Sequence, residues 1–279
     1  MFKSFLKGGC KYNFNFRIYK LKRKKEDSFF LFAVLCIMNL VIDKGNTQVK
    51  YGVYQRNSLL LFKTSDADDF LETIKKIFDE YPNIKQSIYC SVGGVDQKEI
   101  KILTLFNKVH VLSPTSKVPF SNNYATPASL GVDRMALATA AFYYNQYGNT
   151  LVIDMGTCIT YDIVNADGTY LGGAISPGLA MRYKALHGQT NKLPLLTVEA
   201  PLSLIGDSTV QSMHSGVVNG IIHELDGVIL EYKNRFKDLT VILTGGDGQF
   251  FAKRLKNSIF ANSKFLLEGL NYLLEYNKQ

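Results

Sequence analysis

A four-residue sequence that occurs twice places the strongest constraint on the fold. Leu-Val-Ile-Asp at residues 40–43 recurs unchanged at residues 151–154, an offset of 111 residues. One variable residue, a glycine (Gly45, Gly156) and a small polar residue follow each copy, ahead of a second run rich in β-forming residues. Each copy therefore predicts a strand, a tight glycine-containing turn and a second strand. The offset is about the size of one small domain, so we expect two related halves.

Hydrophobic periodicity predicts further helices and strands around both copies. Apolar residues at helical spacing predict a helix over residues 66–81, which stops before Pro82, and an alanine-rich helix over residues 131–147. This order of elements is typical of α/β domains whose helices cover a mixed sheet, and we place the two domains at 38–148 and 149–279. The other predicted elements are strands at 87–92, 109–112 and 240–244, hairpins up to about residue 175, a helix over 217–236 and a closing helix from residue 248.

The basic charge of the chain is concentrated near its start. The formal net charge is +8, and residues 1–37 hold seven Lys and two Arg against Glu26 and Asp27, which places +7 in this segment. The remainder is nearly neutral, so we expect no nucleic-acid-binding face. No run of about 18 apolar residues occurs, so we expect no stable membrane insertion.

The cysteines and histidines indicate neither a disulfide framework nor a metal centre. The four cysteines lack C-x-x-C or zinc-like spacing, and the four histidines are scattered. Isolated cysteines in a chain of this length are typical of reduced thiols in a cytoplasmic protein.

The two glycine turns have the residues that phosphate binding requires. Glycine lets the backbone approach a phosphate closely, and Asn46, Thr47 and Thr157 supply donors beside it. Asp43 and Asp154 can hold a cation that offsets phosphate charge. A single turn of this kind is commonly only a turn. Its duplication, together with the preceding strand residues, favours a pair of facing phosphate loops.

These turns and several later motifs together resemble the type III pantothenate kinases, within the acetate and sugar kinase, heat-shock ATPase and actin superfamily. The resemblance extends from about Met38 to about Gly246. It departs from the family at Cys158, Asn191 and Lys44. The matching segments are residues 43–47 with Lys50, Tyr124 and Pro127, 130–134, 154–157 with Thr160 and Asp162, 171–178, 185–190 with Leu193 and Pro194, and 244–246.

The resemblance implies both a fold and an activity. The fold would be two duplicated actin-like (ribonuclease H-like) domains, with mixed sheets flanked by helices and an active site in the interdomain cleft. The activity would be ATP-dependent phosphorylation of pantothenate to 4'-phosphopantothenate, the first step of coenzyme A biosynthesis, in a cytoplasmic homodimer. Mg2+ would enter with ATP, and K+ or NH4+ would be the monovalent cofactor. Two alternatives are an actin-superfamily kinase of another small acid or sugar, and an ATP-binding regulator without turnover.

The resemblance also assigns roles to individual residues. Asp133 would be the catalytic base, although Asp at the start of a helix is often only a cap. Arg134 would bind the carboxylate of pantothenate through paired hydrogen bonds, with a surface ion pair as the alternative. Asp154 would bind the monovalent cation, with a structural turn residue as the alternative. The remaining assigned positions are Asp43, Gly45, Asn46, Thr47, Lys50 and Thr157 for ATP, and Tyr124, Gly131, Val132, Asp133 and Thr190 for pantothenate.

Three features are less sharply defined by the sequence. The glycine-rich run at 172–178 allows close backbone approach either to a ligand or to a partner subunit. Residues 244–246 suit either an adenosine contact or a plain turn. Residues 1–37 imitate a secretory signal without a small-residue cleavage site. We expect Met38 to be the working start and 1–37 to be an extension outside the enzyme, with a basic surface anchor as the alternative.

Overall fold

Two mixed β-sheets organise the computed structural model, which describes residues 37–45 and 48–278. The first sheet has the order β3-β2-β1-β4-β5 and the second has the order β11-β10-β7-β8-β9-β6. The first sheet contains β1 (Met38–Lys44), β2 (Gln48–Gln55), β3 (Ser58–Asp66), β4 (Ile84–Ser91) and β5 (Lys108–Val111). The second contains β6 (Ser121–Asn122), β7 (Thr150–Met155), β8 (Cys158–Val164), β9 (Thr169–Pro177), β10 (Thr240–Thr244) and β11 (Phe260–Ala261).

The two sheets repeat one topology. β1 runs antiparallel to β2 and parallel to β4, and β7 runs antiparallel to β8 and parallel to β10. The outer strands also correspond, because β3 and β9 are antiparallel additions while β5 and β11 are parallel ones. The repeated tetrapeptide therefore lies in two equivalent strands, and the predicted duplicated α/β fold is confirmed.

Helices cover both sheets. The predicted helix at 66–81 is one 3-10 turn at Ala67–Asp69 followed by α1 (Phe70–Glu80), and the predicted helix at 131–147 ends earlier, at Tyr144. The helix predicted at 217–236 begins as a π-helical turn, Ser215–Asn219, and continues as α6 (Gly220–Arg235). The helices are α1 (Phe70–Glu80), α2 (Gln97–Thr104), α3 (Val132–Tyr144), α4 (Leu179–Gly188), α5 (Thr209–His214), α6 (Gly220–Arg235), α7 (Gly248–Ala252) and α8 (Phe265–Asn277).

The prediction of one closing helix from residue 248 is wrong. α7 ends at Ala252, and β11 separates it from α8. The intervening backbone instead pairs with the sheet, since the Asn262 amide donates to the Leu243 carbonyl oxygen at 2.9 Å. Sequence reasoning also missed α2, α4 and α5.

Side-chain alternation explains why the repeated tetrapeptide is apolar on both faces. Leu40 and Ile42 pack with α1 on the outer face of the first sheet. Val41 points the other way, into a core built from α3 and α8 that also receives Val152 from the second sheet. Strands that are buried on both faces are continuously apolar rather than alternating. The result is five layers, with α3 and α8 between the two sheets.

The two halves share elements across the predicted boundary at 148/149. Residues from Ile37 onward form one compact unit. β6 precedes the boundary yet pairs with β9, while α8, from the end of the chain, packs on β1 and β4. The predicted extension at 1–37 lies outside the described residues except for Ile37. Within the described ranges, no helix is long and apolar enough to cross a membrane.

Candidate active site

The two predicted phosphate turns occupy equivalent places at the ends of β1 and β7. The Gly45 amide donates to the Gln48 carbonyl oxygen, and the Gly156 amide donates to that of Cys158, both at 3.0 Å. Asn46 and Thr47 lie outside the described residues, so their predicted ATP contacts stay predictions. Thr157 is exposed in the second turn.

The first turn is one residue longer than the second, and this changes what faces each aspartate. Lys50 lies opposite Asp43 across the β1–β2 pair, and its Nζ is 3.5 Å from Asp43 Oδ2. Thr160 lies opposite Asp154 across the β7–β8 pair. A lysine therefore lies opposite the aspartate of the first turn, where a threonine lies opposite the aspartate of the second.

Two glycine motifs pack against the second turn. The Gly178 amide donates to the Thr157 carbonyl oxygen at 3.1 Å, and a Cβ at Gly178 would overlap that oxygen. Gly245 has φ +88°, and a Cβ there would overlap the Asp154 carboxylate. Both glycines are therefore required by close approach within the chain.

Asp133 lies in the first turn of α3, where backbone amides point toward an anion. Its Oδ1 accepts a 2.8 Å hydrogen bond from the Arg134 amide. Gly131, not Asp133, is the N-cap residue, and a Cβ at Gly131 would lie 2.5 Å from Asp133 Oδ1. Gly131 thus leaves room for the carboxylate. Val132 packs its side chain into the central core, so a substrate contact there would involve its backbone.

Three carboxyl groups from different elements influence one another. Burial raises the pKa of Asp43, Asp133 and Asp154, and that of Asp154 reaches about 7. Lys50 opposes the rise at Asp43 and Asp154, whereas the charge of Asp133 adds to both. The site therefore lies where β1, β7 and α3 meet, between the two halves. Among the described residues, no group of three or more His, Cys, Asp or Glu side chains is placed to hold a metal ion.

Arg134 is part of a buried ion pair, so the alternative of a surface ion pair is wrong. It is 5% exposed, and its Nε donates to Asp162 Oδ1 at 2.8 Å. The same oxygen accepts a 2.8 Å hydrogen bond from the Tyr170 hydroxyl. The guanidinium carbon lies 5.6 Å from the centre of the Tyr124 ring, which packs against Gly172. The structure thus brings Arg134 and Tyr124 together beside Asp133.

Thr190 lies in a different environment. Its Oγ1 donates to the Leu186 carbonyl oxygen at 2.7 Å. Thr190 lines a cavity of about 880 Å³ between α4 and α5, together with Leu193 and Met213. Asp133 and Arg134 do not line this cavity. The predicted pantothenate contact of Thr190 stays a prediction.

Sequence reasoning gave Asp162 no role and did not single out Tyr170 or the Lys44 network. β8 is buried over almost its full length. The carboxylate of Asp162 within this apolar strand therefore indicates that a buried hydrogen-bonding partner lies next to it. Lys44 Nζ lies 2.7 Å from Glu99 Oε1, and Tyr89 donates to the other Glu99 oxygen at 2.6 Å. This network ties the first turn to α2.

Comparisons with known proteins agree with this geometry. A family model described as type III pantothenate kinase matches residues 39–231. A type III pantothenate kinase of Flavobacterium johnsoniae is 48% identical over 239 residues, covering 86% of this chain and 98% of the relative. One from Christiangramia forsetii is 50% identical over 241 residues, covering 86% and 99%. A crystal structure of a conserved putative Baf family transcriptional activator from Campylobacter jejuni shares the fold, with a TM-score of 0.56, 24% identity and coverage of 86% and 98%.

Two duplicated sheets, each bringing a glycine turn to a shared acidic site, define a class of α/β enzyme whose active site lies between two related halves. The family can be stated more narrowly, because both the model and the relatives cover most of the chain. The chain belongs to the type III pantothenate kinase family, and the resemblance seen in its motifs is confirmed.

Proposed function

We propose that this enzyme transfers the γ-phosphoryl group of ATP to the primary hydroxyl of pantothenate, giving 4'-phosphopantothenate in the first step of coenzyme A biosynthesis. The observation that carries the proposal is the placement of Asp133 in the first turn of α3, electrostatically coupled to the aspartates of both phosphate turns. Phosphoryl transfer chiefly requires alignment, charge neutralisation and a group that accepts the hydroxyl proton. Each of these has a candidate residue here.

Asp133 is the proposed general base. Asp133 is half-buried, and burial raises its pKa while the Arg134 amide and guanidinium oppose the rise. A higher pKa makes a carboxylate a better proton acceptor, provided that it stays ionised. The Arg134 amide donates its hydrogen bond to Asp133 Oδ1. Asp133 Oδ2 is therefore left to accept the proton of the pantothenate hydroxyl.

The residues of the two turns fit a nucleotide triphosphate. Lys50 and the Gly45 backbone would contact ATP phosphates from one side, and Thr157 from the other. Mg2+ supplies charge neutralisation when it is bound with the nucleotide. Asp154 is the proposed ligand for K+ or NH4+, because it is a carboxylate with no ion-pair partner within the described ranges.

Pantothenate would be bound through its carboxylate by Arg134, with Tyr124 beside the guanidinium and Thr190 as a further contact. A guanidinium that carries a free donor is well suited to a carboxylate. The cytoplasm is the proposed location, which agrees with the two described cysteines, Cys90 and Cys158, being free thiols.

A homodimer is the proposed assembly. Three large apolar side chains follow α4 in one segment and are strongly exposed: Leu202 (86%), Leu204 (70%) and Ile205 (84%). Exposed apolar clusters of this kind are typical of interaction surfaces. Light scattering of the wild-type protein and of Leu204→Glu tests this, and a monomeric wild type would contradict it.

The activity is tested by ATP consumption with and without pantothenate, in K+ and in Na+, using the wild-type protein and Asp133→Asn. We expect pantothenate-dependent, K+-stimulated turnover that falls by about 10² to 10⁴-fold in the variant. Asp79→Asn, an equivalent change on an exposed face of α1, is the control and should retain activity. ATP binding without pantothenate-dependent turnover in the wild type would contradict the proposal.

A further inference from the structure

Asp162 and Tyr170 form a buried polar cluster with Arg134 whose hydrogen bonding is incomplete. Asp162 is fully buried, and its Oδ1 accepts from both Arg134 Nε and the Tyr170 hydroxyl. Among the described residues, Arg134 Nη2 and Asp162 Oδ2 are buried and have no hydrogen-bond partner. Unsatisfied buried polar atoms are uncommon in folded proteins, and each suggests a missing partner such as a ligand.

Stabilisation of the fold is by itself a poor explanation for this buried cluster. Removing two charges from water is costly, and apolar residues of similar size often stabilise a core equally well. The surroundings here are otherwise apolar, since β8 contributes Val164 and α3 contributes Leu137 to the same core. A buried polar cluster in which Arg134 Nη2 has no hydrogen-bond partner is better explained by a role in positioning the guanidinium.

We propose that Asp162 is a positioning residue for substrate recognition, which fixes the Arg134 guanidinium through Nε and leaves Nη2 to bind the substrate carboxylate. The inference rests on the proposed function. Because Nε is occupied by Asp162, the carboxylate of pantothenate meets the terminal nitrogens of Arg134 rather than its Nε edge. Tyr170 donates a hydrogen bond to the Asp162 carboxylate, and Tyr124 packs beside both the Tyr170 ring and the guanidinium.

Three features of the strands support this arrangement. Asp162 lies on β8 two residues after Thr160, and Thr160 lies opposite Asp154 in the β7–β8 pair. One strand therefore carries both the residue opposite the proposed cation ligand and the residue that binds Arg134. Asp162 pairs with Gly173 of β9, where a Cβ would overlap the Tyr161 backbone. Gly172, at φ +95°, leaves 3.2 Å between such a Cβ and the Tyr124 ring. The absence of side chains at Gly172 and Gly173 therefore lets β8, which carries Asp162, and the Tyr124 ring approach β9 closely.

The test measures kcat and KM separately for pantothenate and for ATP in the wild type, Asp162→Asn and Tyr170→Phe. Loss of one charge-assisted hydrogen bond predicts that KM for pantothenate rises about tenfold or more in Asp162→Asn, and by a smaller factor in Tyr170→Phe. KM for ATP and kcat should change by less than about threefold, as expected when only binding is lost. Asp167→Asn, on the exposed β8–β9 turn, is the matched control.

A double-mutant cycle separates positioning from a general structural role. With Arg134→Met, the further change Asp162→Asn should raise KM for pantothenate little, because both residues act through one guanidinium. Additive effects, or an equal loss in kcat and in both KM values, would overturn the inference. If Arg134→Met does not fold, the KM split in Asp162→Asn and Tyr170→Phe decides alone. A wild type without pantothenate turnover would overturn the proposed function as well, whereas a wild-type enzyme with an unaffected Asp162→Asn overturns only this inference.

Discussion

Replacing Asp154 by asparagine should stabilise the protein, and the gain should grow with pH. Asp154 lies beside Asp43 and Asp133 at the junction of the two halves, and burial raises its pKa from 3.8 to about 7, with only Lys50 opposing the rise. The folded state therefore resists ionisation of this group. Asparagine keeps the shape of the side chain and never ionises.

The size and sign of the effect follow from this pKa. Because the folded-state pKa lies above the unfolded value, the stability that Asp154 contributes is fully present below about pH 4 and is lost as the pH rises through about 7. A difference of about three pKa units corresponds to at most about 4 kcal/mol. Since the carboxyl is only partly buried and its neighbours also titrate, we expect Asp154→Asn to gain about 2 kcal/mol over wild type between about pH 5 and pH 8.

Urea unfolding at several pH values measures this difference directly. The buffers should contain a large organic cation such as choline, because K+ bound at Asp154 would stabilise the ionised wild type. Repeating the series with K+ should then shrink the gap at about pH 8 and leave Asp154→Asn unchanged. Asp167→Asn, on an exposed turn, is the control for a change of net charge.

Two outcomes would refute the reasoning. A free-energy difference that stays constant from about pH 5 to pH 8 would show that Asp154 is not held near neutrality by burial. Equal stabilisation of wild type and Asp154→Asn by K+ would place the cation elsewhere.

Three further predictions concern the turns and the strands that hold them. Lys50→Met should raise KM for ATP about tenfold or more, because it removes the cation of the first turn; steady-state kinetics that show an unchanged KM would contradict its role. Gly173→Ala should prevent folding or cost more than about 4 kcal/mol, since a Cβ would overlap a backbone oxygen of β8, whereas Gly188→Ala, which meets open space, should be nearly neutral in thermal unfolding. Glu99→Gln should lower stability by about 1–3 kcal/mol in urea unfolding by removing the ion-pair partner of Lys44, and no change would show that this pair is not stabilising.

The features that sequence predicted well are encoded locally. The glycine turns and the apolar tetrapeptide predict two equivalent hairpins because strand period and turn chemistry depend on adjacent residues. The acidic start and the apolar stripe of α1 predict that helix for the same reason. The helices that were missed have weak local signals: α4 buries only Leu179 and Tyr183, and α5 has just six residues.

The contacts that define the site were less accessible to sequence reasoning. Arg134 and Asp162 are 28 residues apart, and their pairing depends on which face of β8 meets α3. Period-two alternation does place Thr160, Asp162 and Val164 on one face of β8, but nothing local shows that Arg134 lies opposite. The motif positions were thus predictable, while the partner of each side chain required the packed structure.

The duplicated turns show how one repeated sequence can yield two different sites. Both copies end in an aspartate, yet the first turn is one residue longer, so Lys50 faces Asp43 and Thr160 faces Asp154. Asp43 thereby gains a cation from the chain. Asp154 instead lies opposite the Thr160 hydroxyl, and burial raises its pKa to about 7 while Lys50 opposes the rise. A buried carboxylate without an ion-pair partner at contact distance needs a cation from solution when the phosphates of ATP bring more negative charge nearby. The difference in turn length is therefore a physical reason to expect the monovalent cation at Asp154 rather than at Asp43.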